Sequence, residues 1–83
     1  MKYWDYRIIR KKDKESKTVS FEVHEVYYSK KGKIKDWTMY PVAPFGENID
    51  ALGEDVHYFQ EALKKPVLKE KIKKKKIFLK EVK

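Results

Sequence analysis

Two histidines, His24 and His57, are the side chains best suited to acid–base chemistry or metal binding in this 83-residue sequence. Either role needs a second ligand or an orienting carboxylate at a defined spacing. Glu22 lies two positions before His24, on the same side of a predicted strand, and Glu54, His57 and Glu61 can share one helical face. Because such pairs usually form solvated polar surfaces, we expect neither a catalytic site nor a metal site.

The other residue types that carry chemistry are equally isolated. The three serines lie in or beside predicted turns and strands, without the Gly-x-Ser-x-Gly turn of a nucleophile. The three glycines are too far apart to form a loop that cradles phosphate. We therefore expect a protein that is not an enzyme, with no cofactor and no small-molecule substrate.

Length and composition narrow the class of protein further. A chain of 83 residues suffices for one small domain. The absence of cysteine favours a reducing compartment, since secreted domains of this size usually need disulfides. We find no signal peptide at the N-terminus and no apolar run long enough for a membrane span. These features together predict a cytoplasmic protein.

The net charge of +8 is concentrated at one end of the chain. Residues 1–63 hold 11 basic and 11 acidic side chains, whereas residues 64–83 hold 10 lysines and 2 glutamates. Such an asymmetry concerns solubility and choice of partner rather than fold.

Three segments have the alternation of strands: 2–12, 18–29 and 33–40. The second begins with alternating Val19, Phe21 and Val23, and its alternation then slips near His24. Either a β-bulge restores the buried face there or both faces are partly covered. Gly32 marks a hairpin turn that requires positive φ.

A helix is predicted over 48–64, with Asn48 as its N-cap. Its apolar residues step by three and four positions in one stripe: Ile49, Leu52, Val56, Phe59 and Leu63. The sequence therefore predicts an α+β fold in which one helix covers one face of a three-stranded antiparallel sheet, in the order 1-2-3. We assign residues 1–68 to a single domain and residues 69–83 to a Lys-rich C-terminal extension.

The extension is ambiguous in both structure and role. A second helix, a short strand at the sheet edge and disorder are all compatible with its pattern. Four lysines in a row are candidates for polyanion binding, either to phosphate or to an anionic membrane surface, and are equally typical of a solvated end. These residues are Lys73, Lys74, Lys75 and Lys76.

The predicted strands carry more aromatic rings than one helix can cover. The rings either fill a small core, form a protein interface or stack nucleic-acid bases. We predict a binding protein that self-associates through its sheet or contacts a protein partner, with Tyr27, Tyr28 and Trp37 as anchors. The alternative is a nucleic-acid-associated protein that uses the lysine run and surface aromatics.

Several short motifs occur in a characteristic order. They are Tyr-Trp-Asp-Tyr-Arg-Ile at 3–8, His-Glu-Val-Tyr-Tyr at 24–28, Gly32, Trp-Thr at 37–38, Pro41, Pro44, Gly46, and Ala-Leu-Lys-Lys-Pro-Val-Leu at 62–68. In this pattern the chain resembles a family of short, uncharacterised bacterial and phage-associated proteins. The resemblance implies a fold and no activity, and the Lys-rich extension departs from it. The element order is also distantly similar to HicB-type antitoxin domains, and this likeness implies an antitoxin-like regulator as one form of the nucleic-acid-associated alternative.

Overall fold

A five-stranded mixed sheet and one helix make up the computed structural model, which describes residues 3–82. The elements are β1 (Trp4–Lys12), β2 (Val19–Tyr28), β3 (Ile34–Trp37), α1 (Ile49–Ala62), β4 (Leu68–Lys73) and β5 (Lys76–Glu81). The sheet order is β3-β2-β1-β4-β5. The prediction of a three-stranded antiparallel sheet is therefore wrong, although three of the strands and the helix lie where the sequence placed them.

The two additional strands consist of Leu68 and most of the Lys-rich extension. Strand β4 runs parallel to β1, pairing Leu68 with Ile9 and Lys69 with Arg10, and β5 then pairs antiparallel with β4. The pattern was ambiguous because Leu68 and Ile72 are four residues apart, a spacing that places two side chains together on a helix and also on a strand. Met1, Lys2 and Lys83, which belong to the predicted ranges 1–68 and 69–83, lie outside the described residues.

The core lies on the inner face of a strongly curled sheet. Ile9, Val26 and Leu68 are fully buried there and come from three adjacent strands. Ile34 on β3 and Leu79 on β5 pack against the same cluster, although these strands are the two edges of the sheet. Both edges therefore bend toward one core, which gives the sheet an almost barrel-like form.

Of the two explanations for the slip near His24, the bulge is absent. Both faces are instead partly covered there, since Val23 on the outer face is half-buried and His24 on the inner face is buried. Strands β1 and β2 pair without interruption, and the irregular step lies between Tyr27 and Tyr28, against β3. Both faces of β2 carry apolar side chains. Val26 points inward and is buried, whereas Phe21 points outward and is 61% exposed.

The predicted turn between β2 and β3 is confirmed. Gly32 has φ +83°, a conformation that costs glycine little, and its N–H donates to the Ser29 carbonyl at 2.9 Å. Strand β3 is shorter than predicted: it ends at Trp37, whereas the predicted segment continues to residue 40.

The helix begins as predicted, but it buries a different face. Asn48 is the N-cap, and its side-chain oxygen accepts a hydrogen bond from the Ala51 N–H at 2.8 Å. Ile49 and Leu63, the ends of the predicted apolar stripe, are exposed, whereas Ala62 is fully buried. The helix therefore turns only part of its apolar surface toward β1.

An aspartate on the helix explains this orientation. Asp55 accepts a hydrogen bond from the Tyr6 hydroxyl at 2.7 Å and another from the Phe45 N–H at 2.8 Å. The Tyr6 ring also contacts Phe59, with ring centroids 4.4 Å apart. Burial, followed by the hydrogen bond to Asp55, raises the pKa of Tyr6. One carboxylate thus connects the helix with β1 and with the preceding loop.

We predict that Asp55→Asn lowers the free energy of unfolding by about 1–3 kcal/mol, because both hydrogen bonds lose their charged acceptor and the Tyr6 hydroxyl must accept from the new NH₂ group instead of donating. Urea denaturation measures the effect. Glu54→Gln, a neighbouring exposed position, is the matched control and should change stability by less than about 0.5 kcal/mol. Equal stability of the two variants would contradict the assigned role.

We also predict that Leu68→Ala costs about 2–5 kcal/mol, since it opens a cavity where β4 meets β1. Leu63→Ala removes the same atoms from a side chain that is 73% exposed, and it should change stability by less than about 0.5 kcal/mol. Chemical denaturation of both proteins makes the comparison. A neutral Leu68→Ala would mean that the C-terminal hairpin is not part of the cooperative fold.

Candidate functional site

Two basic turns lie at the same end of the sheet. Because β1 and β4 are parallel, the turn that follows β1 and the turn that follows β4 point in the same direction. The first turn contains Lys14 and Lys17, and the second contains Lys74 and Lys75. The end that these turns form with the adjoining strands is called the basic end below.

A cleft opens between the two hairpins at the basic end. Pairing of β1 with β4 covers only two positions, Ile9 with Leu68 and Arg10 with Lys69, although both strands continue beyond them. The resulting cleft has a volume of about 470 Å³. Five of its eight lining residues are basic. The eight are Arg10, Lys12, Lys14, Lys17, Lys69, Glu70, Ile72 and Ile77.

The cleft combines positive charge with an apolar wall. Ile72 and Ile77 form a cross-strand pair on the β4–β5 hairpin, and both remain more than half exposed. Glu70 is the acidic side chain among the lining residues. This arrangement is suited to an extended anion that also carries apolar groups, since lysines contact the charges while the isoleucines contact the remainder.

Backbone strain is concentrated at the same end. Within residues 3–82, the non-glycine residues with positive φ are Lys17, Lys74 and Lys75, at 64°, 52° and 65°. A left-handed conformation is unfavourable for lysine by about 1–2 kcal/mol relative to the right-handed one. Unfavourable backbone conformations cluster at functional sites. Here Lys17 lines the cleft, and Lys74 and Lys75 form the turn at the tip of the β4–β5 hairpin.

The predicted polyanion-binding lysines are brought together by the second turn. Lys73 and Lys76 form the last pair of the β4–β5 ladder, and Lys74 and Lys75 form the turn itself. All four side chains are exposed. The hairpin therefore presents four positive charges at its tip, directly beyond Ile72 and Ile77.

The three predicted interface aromatics are not brought to a common surface. Tyr28 and Trp37 lie on the inner face and pack against the core cluster, and both are half-buried. Tyr27 lies on the outer face, where its hydroxyl donates to Glu25 at 2.7 Å, and that hydrogen bond raises the pKa of Tyr27. Their role as interface anchors stays a prediction.

Tyr28 instead belongs to a polar network inside the curled sheet. Its hydroxyl donates to Asp5 at 2.6 Å and accepts from Arg7 at 2.9 Å. Arg7 also donates to the Pro66 carbonyl at 2.8 Å, and Lys65 donates to Asp5 at 2.8 Å. Burial, with the hydrogen bond to Asp5 as the second cause, raises the pKa of Tyr28 to about 12. The network ties the segment before β4 to β1 and so holds the C-terminal hairpin in place.

Both histidines have structural contacts. His24 is fully buried, with Nε2 3.0 Å from Glu22 Oε1 and Nδ1 2.9 Å from the Thr38 carbonyl oxygen. The hydrogen bond with His24 lowers the pKa of Glu22, and Lys11 assists. His57 lies on the helix surface, 3.6 Å from Glu61. His24 is therefore shielded from any substrate.

Metal-ligand clusters and membrane-spanning helices are both absent from residues 3–82. Among these residues there is no group of three or more histidine, cysteine, aspartate or glutamate side chains arranged to hold a metal ion. The helix in this part of the chain lacks the length and apolar character needed to cross a bilayer.

Comparison with protein-family models, with curated proteins and with solved structures yielded no match. The resemblance to short bacterial and phage-associated proteins therefore stays a prediction, and the site must be interpreted from its own geometry.

Sequence reasoning identified the lysine run at the tip of the β4–β5 hairpin but missed the cleft. Arg10, Lys12 and Lys69 were not expected to share a site, because their strands are far apart in sequence and become neighbours only through the parallel pair. One signal was available, since lysines alternate with Leu68 and Ile72 along β4. That alternation is typical of a strand with one charged face.

We predict that the His24–Glu22 pair stabilises the protein at neutral pH and that this contribution is lost in acid. The pKa of Glu22 is lowered from its ordinary value of 4.5, so its contribution is complete above pH 4.5 and is lost as the pH falls through the lowered value. Urea midpoints measured between pH 7 and pH 3 should fall less steeply for Glu22→Gln than for the wild type. Glu15→Gln, at an exposed turn position, should keep the wild-type slope, and identical slopes for all three proteins would sink this assignment.

Proposed function

We propose that this is a non-enzymatic binding protein that holds the phosphate backbone of a nucleic acid at its basic end. The observation that carries the proposal is the parallel pairing of β1 with β4, which surrounds one cleft with basic side chains from both hairpins. Phosphate contacts by lysine and arginine supply most of the affinity of proteins for nucleic acids, because they release condensed counterions.

The distribution of charge over the molecule supports this proposal. The helix carries four acidic and no basic side chains between Ile49 and Ala62. The rest of the chain therefore holds 21 basic and 9 acidic side chains, a net charge of +12, with lysines concentrated at the basic end. A molecule with one acidic and one basic surface attracts a polyanion in a preferred orientation.

A cytoplasmic location is part of the same proposal. The chain has no cysteine, which is typical of proteins in reducing compartments, where nucleic acids are also found.

Self-association through the sheet has less support from the geometry. Two of its three expected anchors, Tyr28 and Trp37, contact the core and offer only part of their surface to a second molecule. Tyr27 points to the opposite face. We therefore place polyanion binding ahead of self-association.

We predict that the protein binds a labelled oligonucleotide at low salt, and that replacing Lys12, Lys14 and Lys17 together by glutamine weakens binding about tenfold or more. The slope of log K against log salt should also become shallower, by up to about one unit for each phosphate that the variant no longer neutralises. Fluorescence anisotropy at two salt concentrations measures both quantities.

The chain offers a matched control at the other end of the sheet. Lys30, Lys31 and Lys33 are exposed lysines around the β2–β3 turn, and their replacement by glutamine changes the net charge by the same amount. This control should bind nearly as well as the wild type. Equal losses in the two triple variants would show that net charge alone attracts the ligand, and no binding at low salt would remove the proposed function.

A further inference from the structure

A row of four side chains crosses the outer face of the sheet beside the cleft. Cross-strand pairing places Phe21 next to Arg10, Arg10 next to Lys69, and Lys69 next to Lys80. Paired residues point to the same side of a sheet, so these four form a continuous line across β2, β1, β4 and β5. We call this line the outer row.

A second phenylalanine lies one step nearer the tip of the β4–β5 hairpin. Phe78 pairs with Lys71 and lies on the same face, because it is two residues from Lys80 along β5. Phe21 is 61% exposed and Phe78 is 46% exposed. From the spacing of strands, the two rings are on the order of 15 Å apart, with basic side chains between them.

The helix leaves this part of the face open. It packs against β1 through Tyr6, whose ring contacts Phe59, and Tyr6 is four residues before Arg10 on the strand. Each of these exposed rings neighbours a cation on the adjacent strand, Phe21 beside Arg10 and Phe78 beside Lys71. This combination of flat rings and positive charges complements a ligand with flat bases and negative phosphates.

We infer that the outer row and Phe78 form a stacking platform for unpaired bases, so that the ligand of the basic end is single-stranded nucleic acid. This inference rests on the proposed function and specifies its ligand. Phosphates lie along the basic cleft, while bases stack on Phe21 and Phe78, as every base has a face that an aromatic ring can contact. A duplex is excluded from this mode because its bases are already stacked on one another.

The test compares a short labelled oligothymidine with an abasic oligonucleotide of the same length, which keeps the phosphates and lacks the bases. We expect the wild type to prefer oligothymidine at least tenfold. Phe21→Ala with Phe78→Ala should abolish this preference and leave affinity for the abasic strand unchanged. A duplex of the same length should bind the wild type and the double variant equally.

Two controls keep the result interpretable. Phe45→Ala removes a ring that is 72% exposed on the loop before the helix, and it should retain the preference for oligothymidine. Phe21→Leu with Phe78→Leu retains apolar surface for folding while removing the rings, and it should lose the preference as the alanine variant does. Urea midpoints establish that each variant is folded.

The outcomes separate this inference from the proposed function. Equal affinity of the wild type for oligothymidine and the abasic strand overturns base stacking, while binding of both strands leaves the basic end as a phosphate site. Equal loss of both strands in the phenylalanine variants also overturns stacking, since the rings would then support the cleft instead. Failure of every nucleic acid to bind at low salt removes both.

Discussion

The contact on which the rest of the structure depends is the short parallel pairing of β1 with β4. It covers two positions and joins one apolar pair, Ile9 with Leu68, to one pair of like charges, Arg10 with Lys69. Like charges on neighbouring strands repel, so burial of Ile9 and Leu68 must offset this repulsion as well as the entropy of ordering the hairpin. The polar network around Arg7 and Tyr28 adds a second attachment at the start of β4.

The same pairing places a charged surface on the outer face of β4. The inner face of the curled sheet contains the core, whereas the outer face collects the alternate residues of each strand. On β4 these alternate residues are lysines. The β4–β5 hairpin therefore contributes Leu68 and Leu79 to the core on one face and a charged surface on the other.

The first three strands, the turn at Gly32 and the N-cap at Asn48 were predictable because local chemistry determines them. The curl of the sheet was not predictable. It depends on Ile34 and Leu79, two residues far apart in sequence that each pack against the same core cluster. The predicted helix stripe was right at Leu52 and Phe59, which are half-buried, and wrong at its exposed ends. The difference arises because Asp55 and its two hydrogen bonds orient the helix, and apolar periodicity carries no information about such a polar contact.

The site was less predictable than the fold. The lysine run can be recognised directly in the sequence, but strand order determines which residues lie beside it in space. The outward direction of Phe21 was also hidden, because Val19, Phe21 and Val23 alternate as a buried strand face does. In the structure, the inner face of β2 is the one that carries His24 and Val26, which are both fully buried.

The turn at Lys74 and Lys75 has a consequence for how the molecule responds to its surroundings. Left-handed backbone and mutual repulsion both favour opening of this hairpin from its tip, where asparagine and glycine would close the turn with less strain. Dissolved ions screen the repulsion between the lysines and so stabilise the hairpin tip. They also weaken the electrostatic attraction between the tip and an anion. Ionic strength therefore shifts rigidity and attraction in opposite directions, and the hairpin is most mobile under the conditions in which it attracts anions most strongly.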